Sequence, residues 1–312
     1  MPDTSVRIGG LQMRNPVLLA SGVVGYGPEY EDLIDYETAG AIVTKTVTPE
    51  PRAGNAPPRL AETPGGLLNA IGLENVGLER FLADKLPETA RLPLPVVASV
   101  AGRDPGEFSE LAEALDARGE IAAVELNISC PNIERPRNPV WADPGAVSEI
   151  VSAARSATGK TLILKLSPNT SDILSVAEAG ERAGTDALTV ANTLPGMRID
   201  LEARRPSLAN TTGGLSGRAL LPVNLALVWK VAGHVSVPVI GSGGVSTAAD
   251  ALEYLIAGAC AVQVGTALFA DPEAPAKMAE GIALYMERNG IETMEELVGL
   301  AREERTVCTG TA

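Results

Sequence analysis

Short apolar runs recur along this chain, each closed by polar or glycine residues and followed by a stretch with helical spacing. Eight runs read as strands: residues 17–20, 41–47, 96–100, 123–128, 162–166, 187–191, 237–240 and 261–264. Each is short and rich in β-branched residues, as strands buried on both faces are. Helical spacing falls at 105–118, where Asp104 is placed to cap, and at 143–157, 171–183, 222–231 and 247–257. Alternating strands and helices predict a parallel sheet with right-handed crossovers. Eight such units within 312 residues predict an α/β fold, a single (β/α)8 TIM barrel, with a doubly wound sheet as the alternative.

Several segments depart from this rhythm. Residues 5–13 predict a small hairpin turning at Gly9-Gly10 and closing the bottom of the barrel. Long loops follow strand two (48–68, rich in Pro and Gly), strand four and strand six (193–217). Loops of this length in a compact domain usually carry function. No linker divides the chain, so residues 1–312 read as one domain.

Composition narrows the picture. Hydrophobic residues make up 45% but aromatics only 3%, so the core must be built from Ala, Val, Leu and Ile. Gly 32 and Pro 23 lie near ordinary usage, which excludes a collagen-like or disordered chain. A net charge of −14 argues against nucleic acid as a partner. The cysteines, Cys130, Cys260 and Cys308, are odd in number, widely spaced and without a CxxC pair. That predicts no disulfide framework and a reducing compartment, with Cys260 an inert small apolar residue in strand eight. Three cysteines cannot hold a four-cysteine iron–sulfur cluster, and the lone histidine, His234, excludes a multi-histidine site, so no metal is expected. The N-terminus lacks a basic stretch leading into an apolar one, and no run reaches the ~18 apolar residues of a membrane span. These features predict a cytoplasmic protein without membrane attachment.

In a barrel, chemistry sits where the strands end. Here those ends read Ser21, Lys45, Ser99, Asn127, Lys165, Asn192, Gly243 and Gly265. A lysine buried at such a position is costly unless it meets an anion. GSGG (241–244) after strand seven and Gly265-Thr266 after strand eight suit a phosphate held by backbone N–H groups. The run lacks the third glycine of a dinucleotide-binding fingerprint. NISCPN (127–132) places Cys130 in a polar loop over the same face, where a thiol of lowered pKa can act as base or nucleophile.

The motifs NAIGLEN (69–75), ELNISCPN (125–132), LKLSPN (164–169), ANTLPGMRID (191–200), LANTTGGLSG (208–217), PVIGSGGV (238–245) and VQVGTA (262–267) closely resemble those of class 1 dihydroorotate dehydrogenases. The resemblance runs in order over essentially the whole chain, and the ANTLPGMRID and LANTTGGLSG pair is most similar to the NAD-linked 1B branch. It implies a flavin mononucleotide (FMN) barrel, one FMN per chain, that oxidises (S)-dihydroorotate to orotate in pyrimidine synthesis. It further implies that Ser21, Lys45, Thr46, Ser99, Asn127 and Ala191 touch the flavin. Lys165 would stabilise the negative charge of the reduced ring at its N1–C2 edge. Gly217, Gly243, Gly244, Gly265 and Thr266 would hold the ribityl phosphate. Dihydroorotate would lie on Asn69, Ala70, Ile71, Gly72, Leu73, Asn127, Asn192 and Thr193, with Lys45 meeting its carboxylate. Cys130 would be the base at C5 while hydride leaves C6 for flavin N5. Ser99 departs from the family's usual asparagine, which predicts a shorter or water-bridged contact to the flavin or to Asn127.

The 1B likeness also implies a homodimer and a heterotetramer with a separate subunit carrying FAD and a [2Fe–2S] cluster, which passes the electrons to NAD. Three other readings stay open. A fumarate-using 1A enzyme differs in its electron acceptor. A dihydropyrimidine dehydrogenase-like chain shares the barrel and the cysteine but works on a neutral pyrimidine, which has no need of Lys45. A non-catalytic nucleotide-binding regulatory barrel would purify without colour.

Overall fold

The computed structural model describes residues 2–129 and 139–303. Eight strands close into a parallel barrel in chain order, the eighth pairing with the first. They are Val17–Leu19, Ala41–Val43, Val96–Val100, Ile121–Asn127, Thr161–Lys165, Ala187–Val190, Val239–Ser242 and Ala261–Val264. The strands are buried almost throughout, because side chains fill the lumen on one face and helices cover the other.

Crossover helices run over Pro105–Asp116, Pro144–Ala157, Ile173–Arg182, Leu221–Ala232, Ala248–Ile256 and Ala274–Asn289. After the second strand, helical turns follow one another from Gly77–Arg80 through Phe81–Lys85 to Leu86–Thr89. After the first strand, the short turns Pro28–Tyr30 and Tyr36–Thr38 stand in place of a helix. The expected caps form: Asp104 accepts from Glu107 N, and Asp143 accepts from Gly145 N and Ala146 N. Thr247 and Asp250 make a reciprocal capping box, which satisfies two of the free N–H groups at that helix start.

The barrel bottom is closed as predicted. Val6–Ile8 pairs antiparallel with Leu11–Met13, and Gly10 N donates to Thr161 Oγ1, at the start of the fifth strand, at 2.7 Å.

Two expectations need correction. The long segments after strands two and six are not irregular loops. They pair with each other in a four-stranded antiparallel sheet, in the order Leu194–Gly196, Gly213–Ser216, Gly66–Asn69, Leu60–Thr63. This sheet is built from the connections that leave the C-terminal end of the barrel. Cys260 lies just before the eighth strand rather than within it, and is fully buried. The boundaries of strand seven also shift: Gly241 and Ser242 belong to it, and the glycine turn is Gly243-Gly244. No helix among the described residues is long and apolar enough to cross a membrane.

Candidate active site

At the strand ends the structure brings together most of the residues singled out from sequence. Lys165 ends the fifth strand and is only 7% exposed. Its ammonium donates to Gln263 Oε1 at 2.9 Å and faces Glu125 Oε1 at 3.5 Å. Glu125 is fully buried; its Oε2 accepts from Gln263 Nε2 (2.6 Å) and Thr189 Oγ1 (3.0 Å). Two charges taken from water cost several kcal/mol each, on the order of what such a pairing recovers, so this cluster is not explained by stability.

A second cluster gathers residues on or just beyond the first four strands. Ser21 Oγ donates to Thr44 O at 2.7 Å and lies 3.2 Å from Thr46 Oγ1. Thr46 Oγ1 is 3.0 Å from Ser99 Oγ and 3.4 Å from Asn127 Nδ2. A hydroxyl carries one hydrogen. Because Ser21 spends its own on Thr44, Thr46 donates to Ser21 and accepts from Ser99 and Asn127. Asn127 Oδ1 accepts from Ser129 N (3.2 Å) and meets Asn192 Nδ2 at 3.5 Å. Ser99 is fully buried, and its hydroxyl is joined to Asn127 through that of Thr46.

The glycine end is braced from outside. Tyr254, fully buried in the helix Ala248–Ile256, donates from its hydroxyl to Gly243 O at 2.7 Å, and burial raises its pKa. Asn224 Nδ2 donates to Ser242 O at 2.8 Å. Gly243 has φ +109°, and a Cβ there would meet Asn224 Nδ2 at 2.1 Å. Gly217 has φ +105°, and a Cβ would meet Gly66 Cα at 2.5 Å. Thr266 Oγ1 donates to Ser216 Oγ at 2.7 Å, which ties the loop after strand eight to the four-stranded sheet.

That sheet also presents the segment from Asn69 to Leu73. Asn69 Nδ2 donates to Gly214 O at 3.2 Å. Asn55 binds Ile71 O through its backbone (2.9 Å) and Ala70 O through its side chain (2.8 Å). Asn75 Nδ2 donates to Leu73 O at 2.8 Å. Lys45 is half-buried, and its pKa is lowered, chiefly by desolvation; Glu74 opposes the shift and Arg59 adds to it. Arg59 is itself ion-paired with Glu74. Thr193 N donates to the Asn192 side chain at 2.8 Å, which fixes that turn.

One buried cation, a ring of half-buried neutral donors and a glycine-lined end suit a polar planar ring carrying an anionic tail. Residues 4–286 match the dihydroorotate dehydrogenase family. The chain belongs to that family. It is 53% identical over 298 residues to "Dihydroorotate dehydrogenase B (NAD(+)), catalytic subunit" of Trichlorobacter lovleyi, covering 96% of this chain and 98% of that one. Proteins of the same name from Geotalea uraniireducens (53%) and Geobacter sulfurreducens (50%) match over the same shares.

Within this member of the dihydroorotate dehydrogenase family, Cys130 falls outside the described residues; Asn127 and Ser129 lead into its loop from the fourth strand. Ala191 is buried beside the sixth strand, with its N–H on Ser242 O at 3.1 Å. Sequence reasoning passed over Glu125, Thr189, Gln263, Asn55, Asn75 and Arg59. The available signal was a lone polar residue inside an otherwise apolar strand, as in AVELNI and AVQV. A groove of about 1170 Å³ lies elsewhere, on the outer wall among helices Leu221–Ala232, Ala248–Ile256 and Ala274–Asn289. It is lined by Leu225, Trp229, Leu252 and Leu284 and shares no residue with the barrel mouth.

The glycine turn gives one expected outcome. Gly243→Ala must both hold a side chain at φ +109° and displace Asn224. The variant should purify with less flavin per chain than the parent and melt several degrees lower, since left-handed strain and a forced shift each cost about 1 kcal/mol or more. A 1:1 flavin content and unchanged melting would contradict the tight packing of this turn.

Proposed function

We propose that this chain is the catalytic subunit of an NAD-linked dihydroorotate dehydrogenase: a cytoplasmic FMN barrel that oxidises (S)-dihydroorotate to orotate in pyrimidine synthesis and hands the electrons to a partner subunit. The observation that carries the reading is the buried Lys165 cluster set beside Asn127, its register partner on the neighbouring strand, which meets Asn192 at 3.5 Å, in a chain about half identical to relatives bearing that name. The residues fit FMN. Lys165 would hold its N1–C2 edge, Ser21, Thr46, Asn127 and Ala191 its ring, and Gly217, Gly243, Gly244, Gly265 and Thr266 its phosphate. Lys45 would also touch the ring. When bound, FMN supplies the two-electron acceptor for the hydrogen at C6 of the substrate.

The chain's own residues do the remaining work. Asn69, Asn127, Asn192 and Thr193 orient the dihydroorotate ring, with the Ala70–Leu73 backbone beneath it. Lys45 meets the carboxylate. Cys130 takes the proton from C5. Lys165 holds positive charge where negative charge develops, an electrostatic contribution that needs no reorganisation during the reaction.

Lys45→Ala should retain flavin but raise KM for dihydroorotate by about 10–100-fold, the worth of a lost charge-assisted bond. In the parent protein the same KM should climb with pH, because the carboxylate needs the protonated amine. Burial lowers the Lys45 pKa, so the climb should begin below the pH at which an exposed lysine titrates. An equal kcat loss with KM unchanged would place Lys45 elsewhere.

The electron acceptor is tested with the purified chain alone. Dihydroorotate should bleach its flavin anaerobically and drive dye reduction, while NAD reduction stays negligible until an FAD/[2Fe–2S] subunit is co-expressed. A homodimer of this chain joined to two such subunits is the expected assembly. Efficient NAD reduction by the single polypeptide would sink the partner proposal, and turnover with fumarate would move the chain to the 1A branch. A colourless chain that binds no FMN would favour the regulatory-barrel reading.

A further inference from the structure

The four side chains around Lys165 come from four strands: Glu125 from the fourth, Lys165 from the fifth, Thr189 from the sixth and Gln263 from the eighth. They meet inside the lumen, where apolar filling of similar volume would serve stability equally well or better. Their hydrogen-bond directions are fully determined. An ammonium only donates and a carboxylate only accepts. The Gln263 amide, with Oε1 on Lys165 and Nε2 on Glu125, therefore cannot turn over without breaking both contacts. Thr189 holds the same carboxylate oxygen as Gln263 Nε2, at 3.0 Å, and accepts a longer contact from that amide at 3.4 Å.

Lys165 has three N–H donors. One is spent on Gln263 and one is directed at Glu125, which leaves one for a ligand at the strand ends. The strengths of the two inner contacts differ in a telling way. The neutral amide lies at 2.9 Å, whereas the carboxylate, which attracts the ammonium more strongly, lies at 3.5 Å. Gln263 thus bridges the two charged groups, taking the ammonium on its Oε1 and the second oxygen of Glu125 on its Nε2, and gives the cation its shorter contact.

We infer that Gln263, locked in orientation by Glu125 and Thr189, is a positioning residue that holds the Lys165 ammonium out toward the flavin and so sets the flavin's reduction potential. The inference rests on Lys165 as the flavin contact proposed above. Gln263 is uncharged, so it acts on the potential through the lysine and not by its own field.

The test is an anaerobic redox titration of the flavin-bound protein. Gln263→Met keeps the length of the side chain and removes the acceptor. The lysine should then move inward, and the reduced-to-oxidised flavin ratio at a fixed potential should fall about tenfold, or about 30 mV for a two-electron couple. Gln263→Asn, which keeps the amide but shortens its reach, should shift the ratio the same way by less, and it serves if the first variant does not hold flavin. Lys165→Met should shift the ratio further in the same direction, and adding Gln263→Met to it should change nothing more. An unchanged potential in both Gln263 variants, with only melting temperature lowered, would overturn the inference and reduce the cluster to packing. So would an equal shift with and without Lys165. An unchanged potential in Lys165→Met alone would overturn the flavin contact itself, a separate failure that takes this inference with it.

Discussion

Replacing Cys130 with Ser is expected to leave flavin bound and to slow its reduction by dihydroorotate at least about 100-fold near neutral pH. Proton removal by a positioned base contributes typically 10²–10⁴-fold. A serine hydroxyl is a far weaker acid than a thiol, so almost none of it is in the basic form at that pH. The proton at C5 would then have no acceptor of matched strength, although Lys45, Asn69 and the asparagine pair would still bind the ring. Rapid-mixing measurement of flavin bleaching reads the step directly. A near-normal bleaching rate in the variant would remove Cys130 from the chemistry and leave the Asn127–Ser129 turn, which begins its loop, as a purely structural feature.

The second large effect is expected at Lys165. Lys165→Ala should slow flavin reduction by about 100–1000-fold, the usual cost of deleting a preorganised group that stabilises developing charge. The substitution also strands Glu125, whose carboxylate would keep Thr189 and Gln263 but lose its only cation among the described residues at this site. Breaking a buried pair from one side typically costs 3–5 kcal/mol. Lower melting temperature should therefore accompany the kinetic loss, and the double variant Lys165→Ala/Glu125→Gln should recover stability without recovering rate. Recovery of both together would mean that the rate loss came from distorted packing and not from missing charge.

What the sequence made legible follows from which physical signals are local. The barrel strands are visible because both faces are buried, and buried strands must be apolar and short. The strand ends are visible because polar residues there interrupt that pattern: Ser21, Lys45, Asn127, Lys165 and Asn192 all do so, and Ser21, Asn127 and Asn192 are joined through Thr46 in one chain of contacts. The hairpin at Gly9-Gly10 is visible because a two-residue turn has its own chemistry. The sheet over the mouth was hidden because its strands, LAET and GLLN among them, are half-exposed and break no periodicity on their own. LAET pairs with GLLN beside it, but GLLN pairs in turn with Gly213–Ser216, far along the chain, which no local pattern encodes. Glu125 and Gln263 were hidden for the opposite reason. Each is a single polar residue in a strand that otherwise reads as core, and only the closed barrel shows that the two face one another.

The sheet over the mouth has a consequence in time as well as in space. Asn69 and Gly214, which hydrogen-bond within it, are 145 residues apart in the chain. At a translation rate of about 5–20 residues per second, the ribosome makes the second partner roughly 7–30 s after the first. For that interval Gly66–Asn69 is paired on one edge only, with Leu60–Thr63, and its other edge waits for Gly213–Ser216. The surface that would carry the substrate is thus completed only once the chain has passed strand six, although strands seven and eight, which close the barrel, come later still. A nascent chain arrested before residue 213 should leave 66–69 more open to protease than one extended past 216 beyond the exit tunnel, in which the second edge of that strand is covered.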